Sequence, residues 1–163
     1  MKNSLLLFLI FFLLRPCNAI SRDFTFSNIN ESFGISMREI TAAERDDDGF
    51  IWAASRSGVL RVASDDYRLY QLPFATTDVL QLKMASRGSL LVVATQNGQV
   101  FRYNRILNKF EQWFTLSSLL GNDNWVTNLL IDVDGKVWIS TSIGIFFWTG
   151  KEVARAFDDM AGV

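Results

Sequence analysis

The sequence predicts an all-β fold built from repeated units of four antiparallel strands, and three observations support it. Aligned with itself, the chain shows three similar segments, which begin at Ile40, Val79 and Val126. In every segment a β-branched residue stands nine positions before a turn glycine, as Ile40 stands before Gly49. The equivalent glycines at 49, 88 and 135 are 39 and 47 residues apart, close to the roughly 40 to 50 residues of a β-propeller blade. We therefore expect about three propeller blades, an incomplete ring, with repeats at about 40–78, 79–125 and 126–163.

Each unit holds runs of strand length that suit an antiparallel blade. One run precedes the first glycine, a second follows it, a third follows the next glycine, and a fourth lies in DYRLYQL and KFEQWFTL. The turns DDDG and DVDG favour hairpins because Asp binds neighbouring backbone and Gly accepts positive φ, and we interpret both as solvated turns. No helical period of about 3.6 residues continues across the glycines and Pro73, which argues against a helical repeat. The extra length between the second and third units is placed in a loop, Thr115 to Asn124.

A second glycine follows the first by nine or ten positions in every unit. These glycines are Gly58, Gly98 and Gly144, and the large apolar residues six positions before them are Trp52, Val92 and Trp138. Exposed indoles are common platforms for sugar rings, but a ring at a fixed mid-strand position of a repeat fits a packing role better. We therefore predict that Trp52 and Trp138 fill the gaps between neighbouring blades.

The composition argues against several classes of function. The chain has no histidine, which removes the commonest general base and the commonest metal ligand. Its formal charge is −1 and neither sign forms a block that could follow phosphates, so we expect no nucleic acid partner. The Asp-rich turns resemble calcium loops but carry Ser55 and Thr141 where a bidentate Glu is needed. We predict no catalytic residue, no cofactor and no metal site. Any two of the seventeen acidic residues could meet as the carboxylate pair of a glycoside hydrolase, but no spacing singles out such a pair.

The first 19 residues differ from the rest and predict a secretory signal peptide, residues 1–19. Lys2 precedes ten apolar residues, Leu5 to Leu14, and Cys17-Asn18-Ala19 offers small residues for cleavage after Ala19. A membrane anchor is the alternative, but ten apolar residues fall short of the roughly 20 that span a bilayer. Arg15-Pro16 also disfavours lipidation of Cys17. We expect a mature chain without cysteine in the periplasm or another extracytoplasmic space.

Two segments, DDDGFIWAASRSGVLRV and DVDGKVWISTSIGIFFW, resemble the two-component-regulator propeller repeat of Bacteroidetes hybrid two-component regulators, where it forms the periplasmic sensor region. The shared features are an Asp-rich turn with Gly, a Trp two or three residues later, a small-polar pair and an apolar, aromatic ending. The middle unit departs from this pattern with Val92 in place of the Trp. The resemblance covers about residues 24–157. It implies that the chain is the N-terminal fragment of a carbohydrate sensor, is not itself an enzyme, and reaches a membrane and a histidine kinase only through downstream segments.

Three classes of function stay open at this stage: a ligand-sensing domain, a protein-interaction or adhesion propeller, and a carbohydrate-active enzyme. For the sensor, the expected ligand is an oligosaccharide. The expected protein partners are missing propeller blades or a second copy of the chain, because an incomplete ring leaves blade faces and strand edges exposed.

The position of a ligand site follows from the order of the strands. In a four-stranded meander the connections alternate between the two ends of the sheet, so the Asp-Gly turns share one face and the other turns share the opposite face with the segments that lead into each blade. Binding residues tend to lie on such loops. The expected ligand-binding residues on this second face are Arg38, Arg56, Gln96, Asn97, Asn124 and Trp125.

Overall fold

The protein, seen in a computed structural model that describes residues 28, 37, 39–63, 66–73 and 81–157, is an incomplete β-propeller. Three four-stranded antiparallel sheets follow one another along the chain, each with its strands in sequence order, which confirms the predicted fold class. The innermost strands of neighbouring sheets contact each other, as expected for blades set side by side around an axis. The predicted signal peptide lies outside the described residues. Within the described ranges, no helix is long and apolar enough to cross a membrane.

Blade 1 contains β1 (Ala42–Arg45), β2 (Ile51–Ser55), β3 (Gly58–Val62) and β4 (Tyr67–Tyr70). Arg45 pairs with Ile51 across a five-residue loop in which Gly49 has φ 88°, as the predicted turn requires. The prediction that this turn is solvated is wrong for Asp46, which is only 6 % exposed. Its carboxylate accepts hydrogen bonds from the backbone N–H of Phe50 at 2.9 Å and the indole N–H of Trp52 at 2.7 Å. Burial is tolerated because both donors are supplied within the blade.

Blade 2 contains β5 (Leu82–Arg87), β6 (Leu90–Thr95), β7 (Gln99–Asn104) and β8 (Lys109–Thr115). Its first hairpin is tighter than that of blade 1, because Arg87 pairs with Leu90 and leaves a turn of two residues, 88–89. The outer strand β8 contains a bulge. Val100 pairs with Phe114 but Phe101 pairs with Gln112, so Trp113 has no residue opposite it.

Blade 3 contains β9 (Val126–Ile131), β10 (Val137–Thr141), β11 (Gly144–Trp148) and β12 (Val153–Arg155). It repeats the five-residue loop of blade 1, and Asp132 accepts a hydrogen bond from the indole N–H of Trp138 at 2.7 Å. This bond, together with the backbone N–H of Lys136, holds the pKa of Asp132 below its usual range. Asp132 is half-buried, unlike the buried Asp46.

The core lies between the blades, and Trp52 occupies the first of the two interfaces. It is 1 % exposed, and its ring centroid is 4.8 Å from that of Tyr103 and 6.0 Å from that of Phe110, both in blade 2. The predicted packing role is therefore confirmed for Trp52. Trp138 differs, because it is half-buried and its described neighbours, Phe147 and Lys136, belong to its own blade.

The segment between blades 2 and 3 was expected to be a loop, but it contains one short helix, α1 (Ser117–Leu120). The expectation failed because Leu116 and Leu120 are one turn apart and both are buried, at 0 % and 1 % exposure. They pack directly on Gly98, where an added Cβ would lie 2.8 Å from Leu120 Cδ1. A glycine is needed at this position for both its positive φ of 87° and this close approach.

Candidate ligand-binding face

One end of the three sheets carries the loops on which the ligand-binding residues are predicted to lie. We call it the loop face, and define it by the turns 56–57, 96–98 and 142–143 and the lead-in segments 39–41 and 122–125. The opposite end carries the loops that follow the first strand of each blade: 46–50, 88–89 and 132–136. This alternation is a direct consequence of the antiparallel strand order.

The segment that carries Trp125 is fixed to the neighbouring turn by Ser142. The backbone N–H of Trp125 donates to Ser142 Oγ at 3.2 Å, and the backbone N–H of Ser142 donates to the Trp125 carbonyl at 3.0 Å. Ser142 Oγ donates in turn to Asn124 Oδ1 at 3.1 Å, while Asn124 Nδ2 donates to the Leu120 carbonyl at 2.9 Å. The backbone is thus held from two sides, and the Trp125 side chain remains 48 % exposed. An exposed indole on a fixed backbone is suited to stacking on the ring of a ligand.

The turn of blade 2 lies beside Trp125. The Gln96 carbonyl accepts a hydrogen bond from the Val126 backbone N–H at 2.9 Å, which links blade 2 to the start of blade 3. Asn97 Oδ1 accepts from Thr95 Oγ1 at 2.5 Å, and the Asn97 carbonyl accepts from Ser117 Oγ at 2.8 Å. Four of the predicted site residues are therefore brought together where blade 2 meets blade 3: Gln96, Asn97, Asn124 and Trp125.

Arg56 is not part of this group. Its Nε lies 3.6 Å from Glu39 Oε2, and both side chains are largely exposed, so the pair lies on the part of the loop face contributed by blade 1. Arg38 falls outside the described residues. Of the six predicted residues, four thus form one group, one lies in a separate ion pair, and one is not described.

Ser142 is the residue of this face that sequence reasoning missed. It lies within a predicted turn, but a serine in a turn is a common solvated residue and gave no signal of its own. Ser142 is 17 residues from Trp125 in the sequence. Their loops come together because of the register in which β9 and β10 pair.

The loop face is equipped for recognition by stacking and hydrogen bonding. The groups around Trp125 are an indole, amides and a hydroxyl, and the Arg56–Glu39 ion pair lies apart from them. Among the residues that the structure describes, no three His, Cys, Asp or Glu side chains are close enough to hold a metal ion.

Comparison with solved structures supports the propeller architecture. The extracellular domains of two hybrid two-component systems of B. thetaiotaomicron match 75% of this chain, with TM-scores of 0.58 and 0.54 and identities of 17% and 16%. The chain spans only 17% and 19% of the length of those domains. A luciferin-regenerating enzyme also matches, over 79% of this chain and 49% of its own, with a TM-score of 0.53 and 10% identity. At these identities the likeness shows the fold alone. No family model and no curated protein matches the sequence.

Proposed function

We propose that this chain is the N-terminal part of an extracytoplasmic sensor propeller of the hybrid two-component type, and that its loop face binds an oligosaccharide. The observation that carries the proposal is the group around Trp125, in which an exposed indole is held next to amide and hydroxyl groups by four hydrogen bonds. Sugars present both apolar ring faces and many hydroxyls, so they need this combination. The similarity to extracellular domains of hybrid two-component systems supports the sensory role.

A protein-interaction propeller is the second candidate. The side of blade 3 that faces away from blade 2 exposes apolar side chains, with Leu130 at 60 % and Ile145 at 40 % exposure. Exposed apolar residues on one side of a sheet favour contact with another protein surface. Further blades of the same protein or a second copy of the chain would cover this side equally well.

The oligosaccharide proposal is tested by titrating the full chain with a panel of neutral and acidic oligosaccharides in a calorimeter. Trp125→Ala should weaken the binding of any hit at least about tenfold, if loss of the stacking ring costs about 1–3 kcal/mol, as it does for bases stacked on aromatic side chains. Arg56→Ala should have a smaller effect because Arg56 lies apart from the group.

Trp138→Ala is the matched control, since it removes an indole that is not on the loop face. It should leave the affinity unchanged as long as the circular dichroism spectrum shows a folded chain. Equal affinity of the Trp125→Ala variant and the unchanged protein would contradict the proposed site. Binding of a protein partner without any oligosaccharide hit would favour the second candidate.

A further inference from the structure

A second concave site lies at the opposite end of the sheets, between the outer strands of blades 2 and 3. It has a volume of about 670 Å³. Blade 2 contributes Arg102 and Trp113, and blade 3 contributes the loop Asp134–Val137 and the strand end 147–150. The volume lies in the range of roughly 300–1,000 Å³ that is usual for small-molecule sites. None of the residues of the loop face lines this cavity.

The cavity is large because the second interface lacks groups that fill the first. At the equivalent place between blades 1 and 2 the cavity measures only about 150 Å³, and its walls include Asp46 and Asp48 of the five-residue loop together with Trp52. Arg105 of blade 2 closes this region further by its ion pair with Asp48. Blade 2 has a two-residue turn in place of that loop and Val92 in place of the tryptophan, so it supplies no equivalent wall.

Two tryptophans give the larger cavity an aromatic lining. Trp113 is the bulged residue of β8, and a bulge turns a side chain away from the regular alternation of a strand. Its ring centroid lies 5.9 Å from that of Trp148, with the two planes inclined by 60°. The plane of Trp148 is itself fixed by Phe114, on which it stacks at 4.4 Å and 4°. The two indoles are therefore held in place before a ligand arrives.

One cation, Arg102, lies on the same wall of the cavity as Trp113. The blade 3 loop on the other wall contains Asp134 and Lys136. Lys136 Nζ is turned away from Trp113 and Trp148, because it lies over Phe147 and Trp138 on the side of blade 3 that carries Leu130. The Arg102 guanidinium is 5.5 Å from the centroid of Trp113, and Lys136 Nζ is 3.4 Å from that of Phe147. Arg102 is thus placed beside an indole of the cavity by a cation–π contact, and its planar guanidinium has donors for an anion in addition to its interaction with Glu111.

We propose that this cavity binds a six-membered ring compound that carries an acidic group. The ring packs against Trp113 and Trp148, while Arg102 binds the carboxylate or sulfate. A uronic acid and an aromatic carboxylic acid share this chemistry. The site is separate from the loop face, so the inference does not depend on the proposed function.

The test uses the full chain and two matched pairs of probes: glucuronate with glucose, and benzoate with benzyl alcohol. Indole N–H resonances from ¹⁵N-labelled protein are followed during each titration. The acidic member of at least one pair should shift the signals of Trp113 and Trp148 and bind about tenfold more tightly than its neutral counterpart. Raising the salt concentration should weaken this binding, because the paired charges are partly exposed. The pair that responds identifies whether the ring is a sugar or an aromatic acid.

Arg102→Gln is the main variant, because an exposed side chain can be changed without unfolding the blade. It should weaken binding of the acidic probe at least about fivefold and abolish the preference over the neutral probe. Trp113→Leu should weaken the binding of both probes of the responding pair. Trp125→Ala on the loop face should leave the affinity for both probes unchanged. The proposal is overturned if neither acid shifts Trp113 or Trp148, or if Arg102→Gln binds the acid as tightly as the unchanged protein.

Discussion

The interface between blades 1 and 2 and the interface between blades 2 and 3 use the same strand positions but are filled differently. In the first, Trp52 packs among Tyr70, Tyr103 and Phe110. In the second, the position of Trp52 is taken by Val92, and Phe114 and Trp148 take the positions of Tyr70 and Tyr103. The first interface is closed apart from a small cavity, whereas the second keeps an open one of about 670 Å³.

The difference shows that a tryptophan at this repeat position depends on the loop before it. Blades 1 and 3 have both the Asp of the five-residue loop and the Trp, joined by a hydrogen bond of 2.7 Å in each case. Blade 2 has neither. A buried indole N–H needs an acceptor, and the two-residue turn of blade 2 has no Asp to supply one. The Asp of the loop and the Trp ring therefore occur together. The interface at which blade 2 lacks both of them contains the larger cavity.

Replacing Trp52 should have the largest effect. Trp52→Ala removes the ring that fills the first interface and should lower the free energy of unfolding by about 3–5 kcal/mol. Trp138→Ala is the matched control and should cost about 1 kcal/mol, because Trp138 is only half-buried. Urea denaturation followed by circular dichroism measures both. Equal losses in the two variants would contradict the distinction between a filled interface and an open blade side.

Removing the acceptor of Trp52 should have the next largest effect. Asp46→Ala leaves the indole N–H of Trp52 and the backbone N–H of Phe50 without their acceptor, and should cost about 2–3 kcal/mol. Asp46→Asn keeps an oxygen acceptor and should cost less. The same urea titration compares them, and equal stability of Asp46→Ala and the unchanged protein would show that the hydrogen bond does not support the ring.

Gly98→Ala tests the second interface from the loop-face side. It should cost about 2 kcal/mol, from the positive φ of 87° and the close approach to Leu120. Gly88→Ala is the matched control, since Gly88 also has positive φ but an added Cβ meets nothing within 4 Å. Comparing the melting temperatures of the two variants separates the cost of the positive φ from the cost of the steric contact with Leu120. A melting temperature of Gly98→Ala no lower than that of Gly88→Ala would mean that α1 moves away without cost.

The smallest expected effect is the pH dependence of Tyr70. Burial, reinforced by the hydroxyl of Tyr103, raises the pKa of Tyr70 to about 12, above its value of 10.0 in an unfolded chain. The neutral hydroxyl therefore stabilises the fold fully below pH 10, and the contribution is lost as the pH rises from 10 through about 12. Tyr70→Phe, which copies Phe114 of the second interface, should cost about 1 kcal/mol at pH 7 through the lost hydrogen bond to Asn108.

Urea denaturation of Tyr70→Phe and the unchanged protein between pH 7 and 11 measures this effect. The difference in stability should shrink as the pH rises above 10. A difference that stays constant across this range would show that Tyr70 titrates normally in the folded chain.

The strands could be predicted from the sequence because their periodicity is local, as the segments KFEQWFTL and DYRLYQL show. The alignment of Gly88 with Gly49 was less informative, since the two glycines lie in turns of different length. The bulge at Trp113 gave no signal, because it depends on which residues of β7 and β8 pair.

The sequence was sufficient to predict which loops share one end of the sheets, but not which of their residues lie together. The order of strands is sufficient to place Gln96 and Trp125 at the same end of the sheets. The separation of Arg56 from them depends on its ion pair with Glu39, and the network of Ser142 depends on loop geometry. Neither contact leaves a pattern in the sequence.

Hydrogen exchange of the two indole N–H groups that donate to Asp side chains also reports on motion between the blades. The proton on each indole nitrogen is held by a carboxylate, and it exchanges with solvent only when that bond opens. The proton of Trp52 lies inside an interface, while that of Trp138 lies in a half-buried blade side. The ratio of their exchange rates therefore reports how often blade 1 separates from blade 2, in a protein with no label attached.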